Sequence, residues 1–246
     1  MNSLRRLLMV FDLFRPEQPV IDVDIICREL GYTSATAYRY LRELGDAGFL
    51  KRLPRGYALG PRIVTLEHLM TNYDPLLACS RDLVDNLVAD TGLDALVSEW
   101  HGDSVVNVLI HRGSDAGPVG SGRGRSIDLF HSATSRVVMA YLLPRQIRRV
   151  YDAHVNPSEL QHLGLEWKPF IKSLLAIRKQ GYCISESELH PGRSGVAAPI
   201  FDEKQRVLGS MTLVGRSERF GAFQQRYLCD LVTGAASELT TRLASQ

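Results

Sequence analysis

The sequence predicts an α+β protein in two parts: an N-terminal winged helix-turn-helix, then a larger domain built on an antiparallel sheet. Three observations predict it. Helix, helix, tight turn, helix and basic hairpin follow one another within the first sixty residues. From Asp94 onward the apolar spacing changes from the helical period of about 3.6 to the strand period of 2. The strand-like runs are separated by short polar turns or by helical stretches, which suits antiparallel pairing with helices packed around a sheet.

The first helix is marked by Leu4, Leu7, Leu8, Phe11 and Phe14, with Asn2 or Ser3 as its cap and Pro16 and Pro19 after its end. Asp22 caps a second helix whose apolar face is Ile25, Ile26 and Leu30, closed by Gly31. The hydroxyl of Thr33 opens a third, running to about Ala47 with Ala37, Tyr40, Leu41 and Leu44 inward. Phe49–Leu53, the turn Pro54-Arg55-Gly56 and Tyr57–Leu59 make a hairpin. In such an order the third helix enters the major groove of double-stranded DNA. Its outer face carries Ser34, Ala35, Thr36, Tyr38, Arg39 and Arg42. Arginine can pair with phosphate or guanine, and the hydroxyls with phosphate or base edges. Arg52 and Arg55 stand where a wing touches the backbone or minor groove. The competing reading is a small helical domain with a solvated basic face.

Charge supports the first reading weakly. The whole chain of 246 residues carries a net charge of +2, but residues 1–62 hold ten Lys/Arg against seven Asp/Glu. Hydrophobic residues at 45% and charged residues at 23% are globular values and exclude a mainly disordered chain. No apolar run is long enough to span a membrane, and Asp12 interrupts the only stretch resembling a leader, so the expected location is the cytoplasm. Four widely spaced cysteines, Cys27, Cys79, Cys183 and Cys229, suit reduced thiols rather than a disulfide framework.

Beyond the hairpin, residues 61–74 read as a linker helix, and Asp74-Pro75 breaks it before a second helix, Leu76–Thr91. Strands are expected at Asp94–Trp100 and Ser104–Arg112, and then a glycine- and arginine-rich loop to Arg125. That loop is either an anion cradle or a surface loop, and it lacks both the P-loop ending and a strict GxGxxG. Helices follow at Ser132–Leu143, Arg145–His154 and Lys168–Gln180, and strands at Tyr182–Glu188, Ser194–Phe201 and Val207–Val214. The final helix directs Tyr227, Leu228, Leu231, Val232, Ala235, Leu239 and Leu243 inward. His131, Ser132, Thr134 and Ser135 gather at a helix start, where free N–H groups attract carboxylates.

The run Gly31-Tyr32-Thr33-Ser34-Ala35-Thr36-Ala37-Tyr38-Arg39-Tyr40-Leu41, with Gly48-Phe49-Leu50 and Tyr57-Ala58-Leu59-Gly60, resembles the IclR family of bacterial transcriptional regulators. The resemblance continues in Leu129-Phe130-His131, Ile177-Arg178-Lys179-Gln180-Gly181-Tyr182, Gly195–Asp202 and Val207–Gly215, and so covers nearly the whole chain. Two departures lie in the N-terminal part: Cys27 replaces the usual alanine, and Ala35 a serine of the DNA-facing helix. The resemblance implies a DNA-binding domain at 1–60, a linker helix at 61–74 and a GAF-like effector-binding domain at 75–246. It also implies assembly as homodimers or tetramers, and control of catabolic genes by a small organic acid. Carried over residue by residue, the effector site comprises Leu129, Thr134, Ser135, Ser185, Gly195, Thr212 and Val214. Arg136-Val137 in place of a glycine-lysine pair, Ser185 in place of an acid and Val214 in place of a small hydroxyl residue suggest a less polar pocket, suited to an aromatic or apolar body with one carboxylate.

Rival classes are weaker. No G-x-S-x-G elbow accompanies His131, Ser132 and Ser135, and Glu186 and Glu188, expected on one strand face, read as solvated, so no catalytic residues are assigned. His131, Cys183 and His190 match no zinc spacing, and no metal or cofactor is expected. The remaining alternative is a ligand-sensing or metal-binding cytoplasmic protein without DNA binding.

Overall fold

The computed structural model describes residues 2–114, 122–154 and 166–245. The chain divides into two compact units, Met1–Asp74 and Pro75–Gln246.

The N-terminal unit opens with α1 (Ser3–Leu8), capped by Asn2, whose side chain accepts from the Arg5 amide at 2.9 Å. At Met9 the helix tightens into a 3-10 segment, Met9–Leu13. This changes the expected face in part: Leu7, Phe11 and Phe14 pack against the core as expected. With three residues per turn, Val10 and Leu13 point inward, whereas Leu4 and Leu8 are left exposed. In α2 (Val23–Leu30) the Asp22 carboxylate caps the Ile25 amide at 2.8 Å, and Gly31 ends the helix at φ +66°, where a side chain is disfavoured. Thr33 accepts from the Thr36 amide at 3.3 Å and opens α3 (Ser34–Asp46). Ala37, Tyr40, Leu41 and Leu44 are buried as expected. The strands β1 (Leu50–Leu53) and β2 (Gly56–Leu59) form the hairpin, with Leu53 opposite Gly56 across Pro54-Arg55. Ile21 pairs with Tyr57 by two backbone hydrogen bonds, 2.9 and 2.7 Å, so the segment before α2 adds a third, one-residue rung to the hairpin. Gly56 adopts φ +143°, and a Cβ there would overlap the Ile21 carbonyl. The helix α4 (Pro61–Tyr73) starts with proline at its first position and has no buried residue.

The C-terminal unit holds α5 (Pro75–Thr91), β3 (Asp94–His101), β4 (Ser104–His111), the short β5 (Ser126–Ile127), α6 (Ala133–Met139), α7 (Pro144–His154), α8 (Trp167–Gln180), β6 (Cys183–Glu186), β7 (Arg193–Phe201), β8 (Val207–Arg216), α9 (Ser217–Phe220) and α10 (Gln225–Ala244). Six strands form one antiparallel sheet in the order β5-β4-β3-β8-β7-β6. Its faces differ in chemistry. Ala95, Val97, Val196, Ala198, Ile200, Met211 and Leu213 pack with Leu76, Leu83 and Leu87 of α5 and Leu228, Val232 and Leu239 of α10. Successive side chains alternate across the sheet. The opposite face therefore carries Leu96, Ser98, Asn107, Ser185, Gly195, Ser210 and Thr212, with α6 packed against β7 and β8. A second cluster, built from Val137, Val138, Val150, Phe170 and Leu174, joins α6, α7 and α8.

Several boundaries depart from expectation. β6 ends at Glu186 because Ser187 takes φ +57°, so Glu188 is off the strand and pairs with Arg136 at 2.8 Å instead of sharing a face with Glu186. α6 stops at Met139, and 3-10-type bonds such as Tyr141 N to Val138 O tighten the chain behind it. In α10 the buried stripe is Leu228, Cys229, Val232, Ala236 and Leu239, whereas Tyr227 is 44% exposed. Leu231, Ala235 and Leu243 pack against the same core, so of the expected face only Tyr227 turns outward. Much of the glycine- and arginine-rich loop, residues 115–121, lies outside the described residues.

Leu213 is fully buried between β7 and the α5–α10 layer. Leu213→Ala is expected to cost about 2–5 kcal/mol. Urea unfolding followed by circular dichroism should show the loss as a lower midpoint with an unchanged slope.

Candidate functional site

Two surfaces carry the chemistry, one in each unit. In the N-terminal unit Ser34, Ala35, Tyr38, Arg39 and Arg42 are exposed on α3, because the inward stripe uses the other side of the helix. Thr36 is half-buried, and its hydroxyl accepts from Thr33 at 3.0 Å, so it is part of the cap as well as of the face. Between α3 and the hairpin runs an open groove whose wall includes Tyr38, Arg39, Arg42, Lys51, Arg52 and Tyr57. Arg55 sits at the exposed tip of the hairpin. Arg39 lies over the Tyr40 ring at 5.3 Å, and Arg42 approaches Glu43 at 3.8 Å with both side chains largely in solvent. An exposed pair of that kind is worth little, and the guanidiniums remain available to an anion. Lys51 and Tyr57 complete the groove and were not singled out from the sequence. The two adjacent cations in Leu50-Lys51-Arg52-Leu53 were the available signal for Lys51.

In the C-terminal unit a narrow cleft, partly open to solvent, lies on the polar face of the sheet. Thr134, Ser185, Gly195, Thr212 and Val214 are brought together in its wall. The hydroxyls of Thr134 and Thr212 bond at 3.1 Å, Ser210 donates to the Thr134 carbonyl at 3.1 Å, and Ser185 donates to the His131 carbonyl at 3.2 Å. These bonds lock the start of α6 onto β8 and β6 and pre-form the wall. Leu129 and Ser135 are not part of it. Leu129 belongs to the α6–α8 cluster, and Ser135 is fully buried, its hydroxyl unpartnered among the described residues. The reason is helical phase: Ser132, Ala133 and Thr134 face the cleft, and Ser135 has turned away from it.

The wall also includes His190, weighed in the sequence only as a metal ligand, and residues absent from the sequence reading, chiefly Leu96, Asn107, Ile127 and Arg193. Arg193 bonds the buried Asp94 carboxylate at 3.3 Å, which also accepts from Arg112 at 2.8 Å and from the Gly113 amide at 2.9 Å. Two guanidiniums thus meet at one carboxylate. α6 is only seven residues long, so the pull of its N-terminal amides is smaller than a helix to Leu143 would exert. The guanidinium of Arg193, rather than the helix start, supplies a cationic group to the wall. Asn107 stood out in the sequence only as the single amide in Val105–Ile110.

The metal alternative finds no support in the geometry. Among the described residues no group of three or more His, Cys, Asp and Glu side chains is placed to hold a metal. His131 is turned to Asp128, with Nδ1 at 2.9 Å. Burial pushes the Cys183 thiol up to about 11, so it is protonated rather than thiolate near neutral pH. Among the described residues no helix is long and apolar enough to cross a membrane.

Comparison with known proteins places this geometry. Residues 3–54 match the IclR helix-turn-helix domain, and residues 69–241 match the C-terminal domain of the bacterial transcriptional regulator IclR. The chain belongs to the IclR family. It is 24% identical to the Pca regulon regulatory protein of Pseudomonas putida, over 99% of this chain and 84% of that one. An IclR-type regulator from Silicibacter sp. TM1040 superposes with a TM-score of 0.86 at 24% identity, covering 99% of this chain and 96% of the other. An IclR homolog from Microbacterium hydrocarbonoxydans, crystallised with 4-hydroxybenzoate, superposes with a TM-score of 0.78 at 17% identity over the full length of both chains. As an IclR-type transcriptional regulator, the chain carries a DNA-binding helix-turn-helix domain and an effector-binding domain.

The buried thiol gives a direct check on the interior of this domain. Cys183 should stay unmodified by iodoacetamide at pH 8 in the folded protein and react fully in urea. Peptide mass mapping of the two samples reads the difference.

Proposed function

We propose that the chain controls catabolic genes in the cytoplasm by binding a roughly palindromic operator as a homodimer or dimer of dimers, and that a small organic acid in the C-terminal cleft sets its affinity for DNA. The observation that carries the DNA half is the groove between α3 and the hairpin, with Arg39, Arg42, Lys51 and Arg52 in its wall. Ser34, Ala35 and Tyr38 are the candidates for base edges, Thr36 and Arg55 for backbone. Two such heads related by a two-fold axis read two half-sites.

The effector half rests on the cleft's mixture of apolar wall, hydroxyls and one cationic pole, which suits an acid with an apolar or aromatic body. The relative crystallised with 4-hydroxybenzoate supports that class. To regulate, the acid must bind one arrangement of the DNA-binding heads better than another, since equal affinity shifts nothing. The reading assigns no catalytic role to any residue.

Association is supported by α4, where Leu66, Leu69, Met70 and Tyr73 lie along one face and are exposed, Tyr73 by 75%. An exposed apolar stripe on a surface helix marks an interaction site. Leu69→Glu is expected to shift the protein toward monomer in light scattering at micromolar concentration while leaving its circular dichroism spectrum unchanged.

Selection from random duplexes would supply the operator, and fluorescence anisotropy the affinity. Arg39→Ala should weaken binding by about 1–3 kcal/mol and reduce the slope of log K against log salt by about 1 if it contacts phosphate. Unchanged affinity and slope would remove Arg39 from the interface.

A further inference from the structure

We infer that Asn107 determines effector specificity by donating a hydrogen bond to a second oxygen, at the end of the effector remote from its carboxylate. The inference rests on the reading of the cleft as an organic-acid site. Asn107 is fully buried in the middle of β4. Its backbone is fully used: the amide donates to the Arg125 carbonyl at 3.2 Å, and the carbonyl accepts from Gly124 at 2.8 Å. Its Oδ1 accepts from the Ser98 hydroxyl at 2.7 Å. The Nδ2 has no partner among the described residues. Buried donors are nearly always paired, and one kept unpaired in the wall of a cleft calls for an acceptor brought from outside. Neither the hydroxyl-bonded wall around Thr134 and Thr212 nor the arginine pole accounts for it.

The cleft therefore has two polar poles of opposite use. At one, Arg193 lines the cleft, and one of its five N–H donors goes to the Asp94 carboxylate. Its other donors suit a carboxylate. At the other, the Asn107 amide offers neutral N–H. The strands set the distance between them. Asp94 and Ser98 lie four residues apart on β3, about 13 Å along the strand, and Ser98 stands opposite Asn107 in the register. Leu96, Ile127, Ala133 and Val214 form the apolar wall of the same cleft. Allowing a hydrogen bond of ~2.9 Å at each end, the oxygens that bridge the poles are separated by about 7 Å along the strand. A benzoate with an oxygen substituent opposite its carboxylate approaches that length and has a flat apolar body. Two- and three-carbon oxo acids are too short to touch both poles.

Calorimetric titration of the full-length protein with 4-hydroxybenzoate, 4-methylbenzoate, benzoate and pyruvate tests the inference. The 4-methyl compound has the shape of the 4-hydroxy compound without its oxygen. The wild-type protein should prefer 4-hydroxybenzoate to 4-methylbenzoate by roughly tenfold or more, as a site built around a polar group rejects the analogue lacking it. Asn107→Asp keeps an acceptor for Ser98 and removes the donor. It should abolish that preference. The wild-type comparison stands alone if the variant does not fold. Equal binding of the two compounds, a preference that survives in Asn107→Asp, or binding of pyruvate alone would overturn the role of Asn107 and leave the organic-acid reading in place. Binding of none of the four compounds would overturn the inference together with the organic-acid reading on which it rests.

Discussion

The alternation of side chains across the six-stranded sheet is the constraint on which the C-terminal unit depends. Every second residue of β8 is Met211 or Leu213 on one side and Ser210 or Thr212 on the other. A slip of one residue would exchange the two sets, putting hydroxyls into the aliphatic layer under α5 and α10 and methionine into the cleft. The aliphatic face therefore holds the register, and the register places Thr212 against Thr134, Gly195 opposite Val214 and Ser185 opposite Gly195. The cleft is what remains when a small-residue face cannot fill the space beneath a short helix. Stability and site arise from the same alternation, on opposite sides of one sheet.

The small side chains of that face have a second effect. Gly195 lets the backbone of β8 run close, with the Leu213 carbonyl 3.1 Å from where a Cβ would stand. A larger residue there would press on β8 and narrow the cleft from below. Hydroxyl groups, unlike aliphatic ones, can also pair among themselves when the cleft is empty, as Thr134 and Thr212 do. The amide of Asn107 is the member of the wall that is not satisfied in this way.

Local signals made much of the fold legible. Asp22 and Thr33 cap α2 and α3 because short polar side chains can reach back to the first free amides. Gly31 and Gly181 end helices in the left-handed region. Failures came where the answer depended on packing. The 3-10 turn after Leu8 brings Val10 and Leu13 into the core and leaves Leu4 and Leu8 exposed without any change of composition, and at the start of α10 Tyr227 turns outward. The site was legible where resemblance reached it, at Thr134, Ser185, Gly195, Thr212 and Val214. It was not legible at Arg193 and Asn107. Their meaning depends on partners far away in the chain: Asp94 for the first, and for the second a missing partner that a sequence cannot display.

The rung between Ile21 and Tyr57 has a mechanical consequence. It ties the turn end of the hairpin, one pair from Leu53 and Gly56, to the residue that precedes the cap of α2, while α2 and α3 share one small core. The reading helix and the wing thus behave like the two arms of a fixed caliper rather than hinged fingers. Within one head the span from α3 to the tip at Arg55 cannot be adjusted to suit a given stretch of duplex. Tolerance for an imperfect target has to come from bending of the nucleic acid itself, so sequence-dependent flexibility between the contacted bases becomes part of what is recognised.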